Sequence, residues 1–134
     1  MPAIANFTVK LADNTTDATF VAKSPSAGDN VPAVWRYDAS AAPYNSLKPE
    51  MRLTARWNGG KTARRLDLMF VYPSWVTNTT TGVAEKRGAI VATVSVAMPQ
   101  DLPQIDQDNA AALLGNILDH SLIQNCLTTG YSAT

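Results

Sequence analysis

The stretch that decides the fold runs from residue 51 to residue 73 and reads MRLTARWNGGKTARRLDLMFVYP. Apolar and polar residues alternate before Asn58-Gly59-Gly60 and again after it, and such alternation is typical of a strand with one buried face. An Asn-Gly step between two such runs is a strong hairpin signal. The apolar positions are Met51, Leu53, Ala55 and Trp57, then Leu66, Leu68, Phe70 and Tyr72. The stretch therefore predicts a β-hairpin with an apolar face and an arginine-bearing face.

The charges are unevenly distributed, although 11 basic residues balance 11 acidic ones and the formal net charge is +0. Six basic residues lie between Lys48 and Arg65, where only Glu50 opposes them. Beyond Arg87 the chain has no lysine or arginine, but it has four aspartates. Zero net charge argues against a nonspecific polycation, yet a local basic face is compatible with it. The distribution predicts a basic surface from the middle of the chain and an acidic one from its end; a solvated hairpin that binds nothing is the alternative.

The remaining sequence predicts further strands and a helical tail. Strands are expected at residues 6–12, 18–24, 31–37 and 88–98, of which the first two form an N-terminal hairpin. From Ile105 to Leu127 apolar residues recur at spacings of three and four, which indicates an amphipathic helix. We expect Asp101 to cap this helix, a break between Gly115 and Ser121, and an end at Gly130.

This order of elements predicts an α+β fold in a single domain, residues 1–134. Residues 1–99 form the β region, with an N-terminal hairpin and a five-stranded antiparallel sheet, and residues 100–134 form two helices. In a monomer, one apolar sheet face and two short helices leave apolar surface uncovered. An intertwined dimer, in which the helices of each chain cover the sheet of the other, resolves that excess.

No catalytic or metal-binding constellation is predicted. His120 is the only histidine and lies in the helical tail, where a capping or surface role is expected, and a metal site usually needs three or four ligands. Cys126 is the only cysteine, so no internal disulfide forms, and it falls on the apolar stripe. Trp35 and Trp57 are assigned to the core. We therefore expect no enzyme activity, no cofactor and no metal.

Targeting and membrane signals are also absent from the sequence. The opening residues, MPAIANFTVK, lack the charged start and long apolar stretch of a signal peptide. No apolar run is long enough to span a bilayer. No membrane partner is expected.

The polar sheet face suggests a nucleic-acid partner. Arg52, Thr54 and Arg56 share one face of the first run, Arg65 and Asp67 share one face of the second, and Thr93 and Ser95 share one face of the last strand. Arginine binds phosphate through two parallel hydrogen bonds, and hydroxyls contact phosphates and base edges. A sheet that displays such groups suits looped or single-stranded RNA.

In these features the chain resembles the coat proteins of the small single-stranded RNA bacteriophages, the levivirus type. The resemblance covers nearly the whole length, and its strength lies in the order and spacing of several segments. Those segments are NFT at the start, AVW at residues 33–35, RLTARW, RRLDLMFVYP, VTNTTTGVAE and AAALLGNILDHSLIQNCLTTGY.

The resemblance implies a capsid protein that dimerises and closes into an icosahedral shell around its RNA genome. It places the protein in the virion, after synthesis in the cytoplasm of a bacterial host. The inner sheet face binds RNA, and in several members of the family it recognises a hairpin that represses replicase translation. The runner-up function is a dimeric RNA-binding regulator that forms no shell; a small-ligand-binding domain or enzyme is a third possibility, from another class.

The resemblance also implies individual contacts. The RNA-binding residues would be Arg52, Thr54, Arg56, Arg65, Asp67, Met69, Val91, Thr93 and Ser95. The chain departs from the family pattern at Met69, where a lysine or polar residue is usual, and at Val91, where an aromatic is usual. The predicted polar loop of residues 77–87 would form contacts between dimers around the symmetry axes. Its members are Thr77, Asn78, Thr79, Thr80, Thr81, Gly82, Val83, Ala84, Glu85, Lys86 and Arg87.

Overall fold

The computed structural model describes residues 2–134, which form six β-strands, one short 3-10 helix and two α-helices. The strands are β1 (Phe7–Lys10), β2 (Asp17–Ser24), β3 (Ala33–Arg36), β4 (Glu50–Trp57), β5 (Ala63–Thr77) and β6 (Ala84–Pro99). The 3-10 helix is Asn45–Leu47, and the α-helices are α1 (Gln104–Asp119) and α2 (Ser121–Thr129).

The strands lie in one sheet in the order of the chain, from β1 to β6. The predicted α+β class and the two C-terminal helices are confirmed. The predicted N-terminal hairpin, β1 and β2, is part of this sheet, which has six strands rather than five. The chain forms two compact units, one up to Met98 and one from Pro99 to Thr134. None of its described helices is long and apolar enough to cross a membrane.

The deciding hairpin pairs β4 with β5 as the alternation predicts. Leu53 lies opposite Leu68 on the apolar face, and Arg56 lies opposite Arg65 on the polar face. The turn is wider than a two-residue Asn-Gly turn because it spans residues 58–62. Asn58 closes it: its backbone N–H donates to the Ala63 carbonyl at 3.0 Å, and its side-chain oxygen accepts from the Thr62 N–H at 2.8 Å.

The core of the sheet unit is aromatic. Phe20 and Trp35 are buried, and the ring of Phe7 stacks on Phe20 with centroids 5.2 Å apart. The indole N–H of Trp35 donates to the Ala5 carbonyl at 2.8 Å, so its one polar group is satisfied. The prediction of a core Trp35 is confirmed.

The same prediction is wrong for Trp57, which is 40% exposed. Trp57 is the last residue of β4 and lies opposite Arg64 rather than opposite an apolar residue. The guanidinium carbon of Arg64 lies 5.0 Å from the centroid of the ring, a distance that suits a cation–π contact. The alternation of Trp57 with polar residues indicated its face correctly. Because Trp57 is the last residue of the strand, its side chain is nevertheless partly exposed to solvent.

The helical unit has the predicted break and end. His120, with an extended ψ of 135°, separates α1 from α2, and its Nδ1 accepts from the Leu122 N–H at 3.2 Å. Gly130, at φ 75°, ends α2 in the left-handed region that glycine tolerates best. The prediction that Asp101 caps α1 is wrong, because Pro103 occupies the cap position next to Gln104. No residue of α1 or α2 is buried.

The loop between β5 and β6 is shorter than predicted. Thr77 is the last residue of β5 and Ala84 is the first of β6, so the loop comprises residues 78–83. Asn78 closes it, since its N–H donates to the Val83 carbonyl at 2.8 Å and its side-chain oxygen accepts from the Thr80 N–H at 2.9 Å. Residues 84–87, which we expected in the loop, belong to β6.

Candidate nucleic-acid interface

Four side chains from three strands meet at the centre of the polar face. Nε of Arg56 donates to Oδ2 of Asp67 at 3.1 Å, and Oγ of Ser95 donates to Oδ1 of the same carboxylate at 2.5 Å. Arg65 donates to Oγ of Ser95 through Nε at 3.3 Å and through Nη2 at 3.1 Å. Arg56, Arg65, Asp67 and Ser95 are called the Asp67 cluster below.

The strand register explains this meeting. Arg56 lies opposite Arg65, and Thr54 lies opposite Asp67, so Arg56 reaches Asp67 diagonally across β4 and β5. Ser95, on β6, forms hydrogen bonds with Arg65 and with Asp67. Two like charges directly opposite each other are destabilising, and a carboxylate between them offsets this repulsion.

The Asp67 cluster is partly exposed and carries a small positive charge. The side chains of Arg56, Arg65 and Asp67 are 42%, 44% and 28% exposed. Two guanidinium groups and one carboxylate give a formal charge of +1, that is, 2 − 1. Hydrogen bonding from Ser95 first, and from Arg56 second, lowers the pKa of Asp67 below its usual value. The carboxylate is therefore ionised at neutral pH.

A second pair lies beside the cluster. Nε of Arg52 donates to Oε1 of Glu50 at 2.6 Å along the same face of β4. These two residues, with Lys48, Met69 and Val71, contribute to the lining of a half-open pocket of about 330 Å³. Sequence reasoning did not include Lys48 and Glu50 in the site; the two-residue spacing of Glu50 and Arg52 was the signal that could have placed Glu50 there.

The other predicted contact residues lie near the cluster without joining it. Thr54 and Met69 lie opposite Asp67 and Arg52 in the register, and Met69 is 41% exposed. Val91 and Thr93 are four and two residues before Ser95 on β6, so the alternation of the strand puts them on the same face. Val91 is 57% exposed. This face therefore presents arginines, two carboxylates, hydroxyls and the apolar side chains of Met69 and Val91.

The opposite face of the sheet is apolar. A hollow of about 390 Å³ is lined by residues that include Trp35, Leu53 and Leu66. Arg64 has the parity of this side, and it forms two hydrogen bonds with the Asp29 carboxylate, at 2.8 and 3.0 Å. The bond from Arg64 lowers the pKa of Asp29. Arg64 thus does not contribute to the polar face, although it lies within the basic segment.

The part of the chain that the structure describes, residues 2–134, contains no group of three or more His, Cys, Asp or Glu side chains able to hold a metal ion.

Comparison with known proteins reveals a shared architecture. No family model matches the chain, and no curated protein matches it. Among solved structures, the virus-like particle of Beihai levi-like virus 21 matches with a TM-score of 0.82 at 16% identity, over 99% of both chains. The chain has the coat-protein fold of the levi-like RNA bacteriophages.

Two further structures agree with this assignment. The virus-like particle of bacteriophage NT-214 matches with a TM-score of 0.80 at 14% identity, over 99% of this chain and 100% of the other. The capsid protein of bacteriophage GA matches with a TM-score of 0.72 at 18% identity, over 95% of both chains. All three neighbours are chains of virus-like particles or of a phage capsid. The resemblance inferred from the sequence is confirmed for the levi-like coat-protein fold.

Proposed function

We propose that this protein is the coat protein of a small single-stranded RNA phage, which dimerises, closes into an icosahedral shell and packages RNA on the polar face of its sheet. The observation that carries the proposal is the match to chains of two virus-like particles, over 99% of this chain and over 99% and 100% of theirs. The protein would then reside in the virion.

Uncovered apolar surface supports the dimer. Among residues 2–134 the buried hydrophobic residues are few and mostly small, namely Ala18, Phe20, Ala33, Trp35, Ala42, Leu47 and Ala63. Leu113 of α1 and Leu127 of α2 are 60% and 69% exposed. Exposed apolar surface on this scale marks an interaction site, and a second copy of the chain offers both an apolar hollow and apolar helices to cover it.

The polar face supports RNA binding. Arg52, Arg56 and Arg65 line it within reach of Thr54 and Ser95, and the groups that they present suit phosphates and base edges. A sheet can hold splayed bases in this way. In this proposal the same face also recognises an RNA hairpin that represses replicase translation.

Electron microscopy of the purified protein tests the proposal. We expect particles of uniform size whose nucleic acid withstands added nuclease and is released only when the particles are opened. A dimer that binds RNA but forms no particle under any assembly condition would favour the alternative, a dimeric RNA-binding regulator. Particles that assemble equally well without any nucleic acid would contradict the packaging role.

A further inference from the structure

We propose that Asp67 is a specificity-determining residue that restrains phosphate binding at the centre of the polar face, so that RNA is selected there by its bases more than by its backbone. The inference rests on the proposed RNA-binding function and names a role within it. The side chains that hold the two central arginines already occupy N–H groups that a phosphate would use.

An arginine binds a phosphate best through two parallel N–H groups, and the edge formed by Nε and one terminal nitrogen is one of the edges that offers such a pair. In Arg56, Nε already donates to Asp67. In Arg65, Nε and Nη2 both donate to Ser95, whose hydroxyl in turn donates to Asp67. A phosphate that binds the Nε edge of Arg56 or of Arg65 must therefore displace a contact that Asp67 makes or supports.

The same arrangement recurs at the edge of the cluster. Nε of Arg52 donates to Glu50, so the Nε edge of this third arginine is also occupied. These three arginines and two carboxylates together carry a formal charge of only +1, that is, 3 − 2. The group therefore has little net charge for its number of arginines, and each carboxylate repels a phosphate that approaches it.

Net charge controls the sequence-independent part of RNA affinity. Each phosphate neutralised releases counterions, and this release makes affinity depend on salt without regard to sequence. Base edges, in contrast, are read by hydrogen bonds that do not need net charge. A carboxylate at the centre of an arginine face therefore lowers nonspecific affinity and leaves discrimination between bases to the remaining contacts.

The test replaces Asp67→Asn, which keeps the size and the acceptor oxygen but removes the charge. A short single-stranded oligouridylate is titrated against the intact dimer at several salt concentrations. We expect the variant to bind about fivefold more tightly near 0.1 M salt and its log–log salt slope to steepen by about one unit. Asp67→Glu, which keeps the charge, should retain the wild-type slope.

Two further variants sharpen the result. Ser95→Ala releases the Arg65 edge without changing the charge, so a smaller gain in affinity is expected. Asp29→Asn frees Arg64 on the other side of the sheet and should leave oligouridylate binding unchanged. A gain in Asp29→Asn equal to that in Asp67→Asn would overturn the inference, because total charge would then explain both.

Other outcomes separate this inference from the proposed function. Unchanged or weaker binding in both Asp67→Asn and Ser95→Ala, with wild-type binding and the dimer intact, overturns the role of Asp67 alone. If the wild-type dimer does not bind oligouridylate at any salt concentration and its particles contain no RNA, the RNA-binding function fails, and the inference fails with it.

Discussion

Arg56 lies directly opposite Arg65 on β4 and β5, and Asp67 lies between their charges, 3.1 Å from Nε of Arg56 and 3.9 Å from Nε of Arg65. The electrostatics of the polar face follow from this one relationship. Asp67 accepts a hydrogen bond from Arg56 and another from Ser95, and the hydroxyl of Ser95 accepts from Arg65. The cluster retains a single positive charge for a ligand.

The two central arginines are expected to contribute to RNA binding about equally. Arg56→Ala and Arg65→Ala each leave Asp67 in place, so the cluster loses its net positive charge. RNA binding should weaken across sequences, and the log–log salt slope should flatten by about one unit. Titration of a short RNA at several salt concentrations measures both. Asp106→Asn and Asp108→Asn on α1 are the controls and should show no loss; unchanged slopes in both arginine variants would mean that the polar face is only a solvated surface.

The smallest folded unit is expected to be a dimer. Leu113 is 60% exposed on α1, and Leu113→Asp would place an unpaired charge in the covered surface, which should weaken dimer association by about tenfold or more. Asn116→Asp, at an exposed position on the same helix, is the matched control and should associate normally. Sedimentation of the proteins over a range of concentrations distinguishes these cases. A compact, monodisperse wild-type monomer at micromolar concentration would contradict the prediction.

The loop of residues 78–83 is expected to serve contacts between dimers. Its hydrogen bonds run within the loop and to the ends of β5 and β6, so replacing it with a two-residue Asn-Gly turn should leave the dimer folded. Particles should change in size or fail to form. Thr80→Ala, a small change within the loop, serves as the control. Particles of the same size and yield after shortening would remove the loop from the assembly surface.

Trp35 and Trp57 are expected to differ sharply in their contribution to stability. Trp35 is buried against Phe7 and donates to the Ala5 carbonyl, so Trp35→Ala should lower the free energy of unfolding by about 3–5 kcal/mol. Trp57 is 40% exposed, and Trp57→Ala should cost about 1 kcal/mol, chiefly its contact with Arg64. Denaturant unfolding of the dimer at one fixed concentration compares the two. Equal losses would show that Trp57 is covered in the assembled protein.

Acid is expected to weaken the turn between β1 and β2. Three hydrogen bonds to Asp13, of which the Thr16 hydroxyl contributes most, lower its pKa from 3.8 to about 2. Because the folded pKa is below the unfolded one, the stabilisation is fully present above pH 3.8 and is lost as the pH falls through about 2. Asp13→Ala should therefore be less stable than wild type at neutral pH, and the difference should vanish towards pH 2. A difference independent of pH, in unfolding followed across this range, would contradict the ionised role of Asp13.

The local elements of this fold could be predicted because each depends on a short stretch of sequence. Alternation around Asn58 predicted the paired faces, and the register of Leu53 with Leu68 confirms them. Gly130 predicted the end of the helical tail because few other residues tolerate its left-handed backbone. The break at His120 lies within the predicted interval, and the extended backbone there, with a ψ of 135°, does not continue the helix.

Three predictions made from the composition of a short stretch were wrong. Residues 84–87 have a polar, loop-like composition, but they extend β6 because strand pairing can continue through polar residues. Trp57 has the composition of a core residue, but the strand ends there and its partner is Arg64. Asp101 suits a helix cap, but Pro103 occupies that position.

The sequence by itself determined which side chains share a face, since the period of a strand is a local property of the backbone. It thereby determined that Arg52, Arg56 and Arg65 share one surface. Only the tertiary structure decided that Ser95, 28 residues from Asp67 along the chain, bonds to that carboxylate and holds Arg65 beside it. Register between strands depends on pairing across the whole sheet, and no single stretch of sequence contains it.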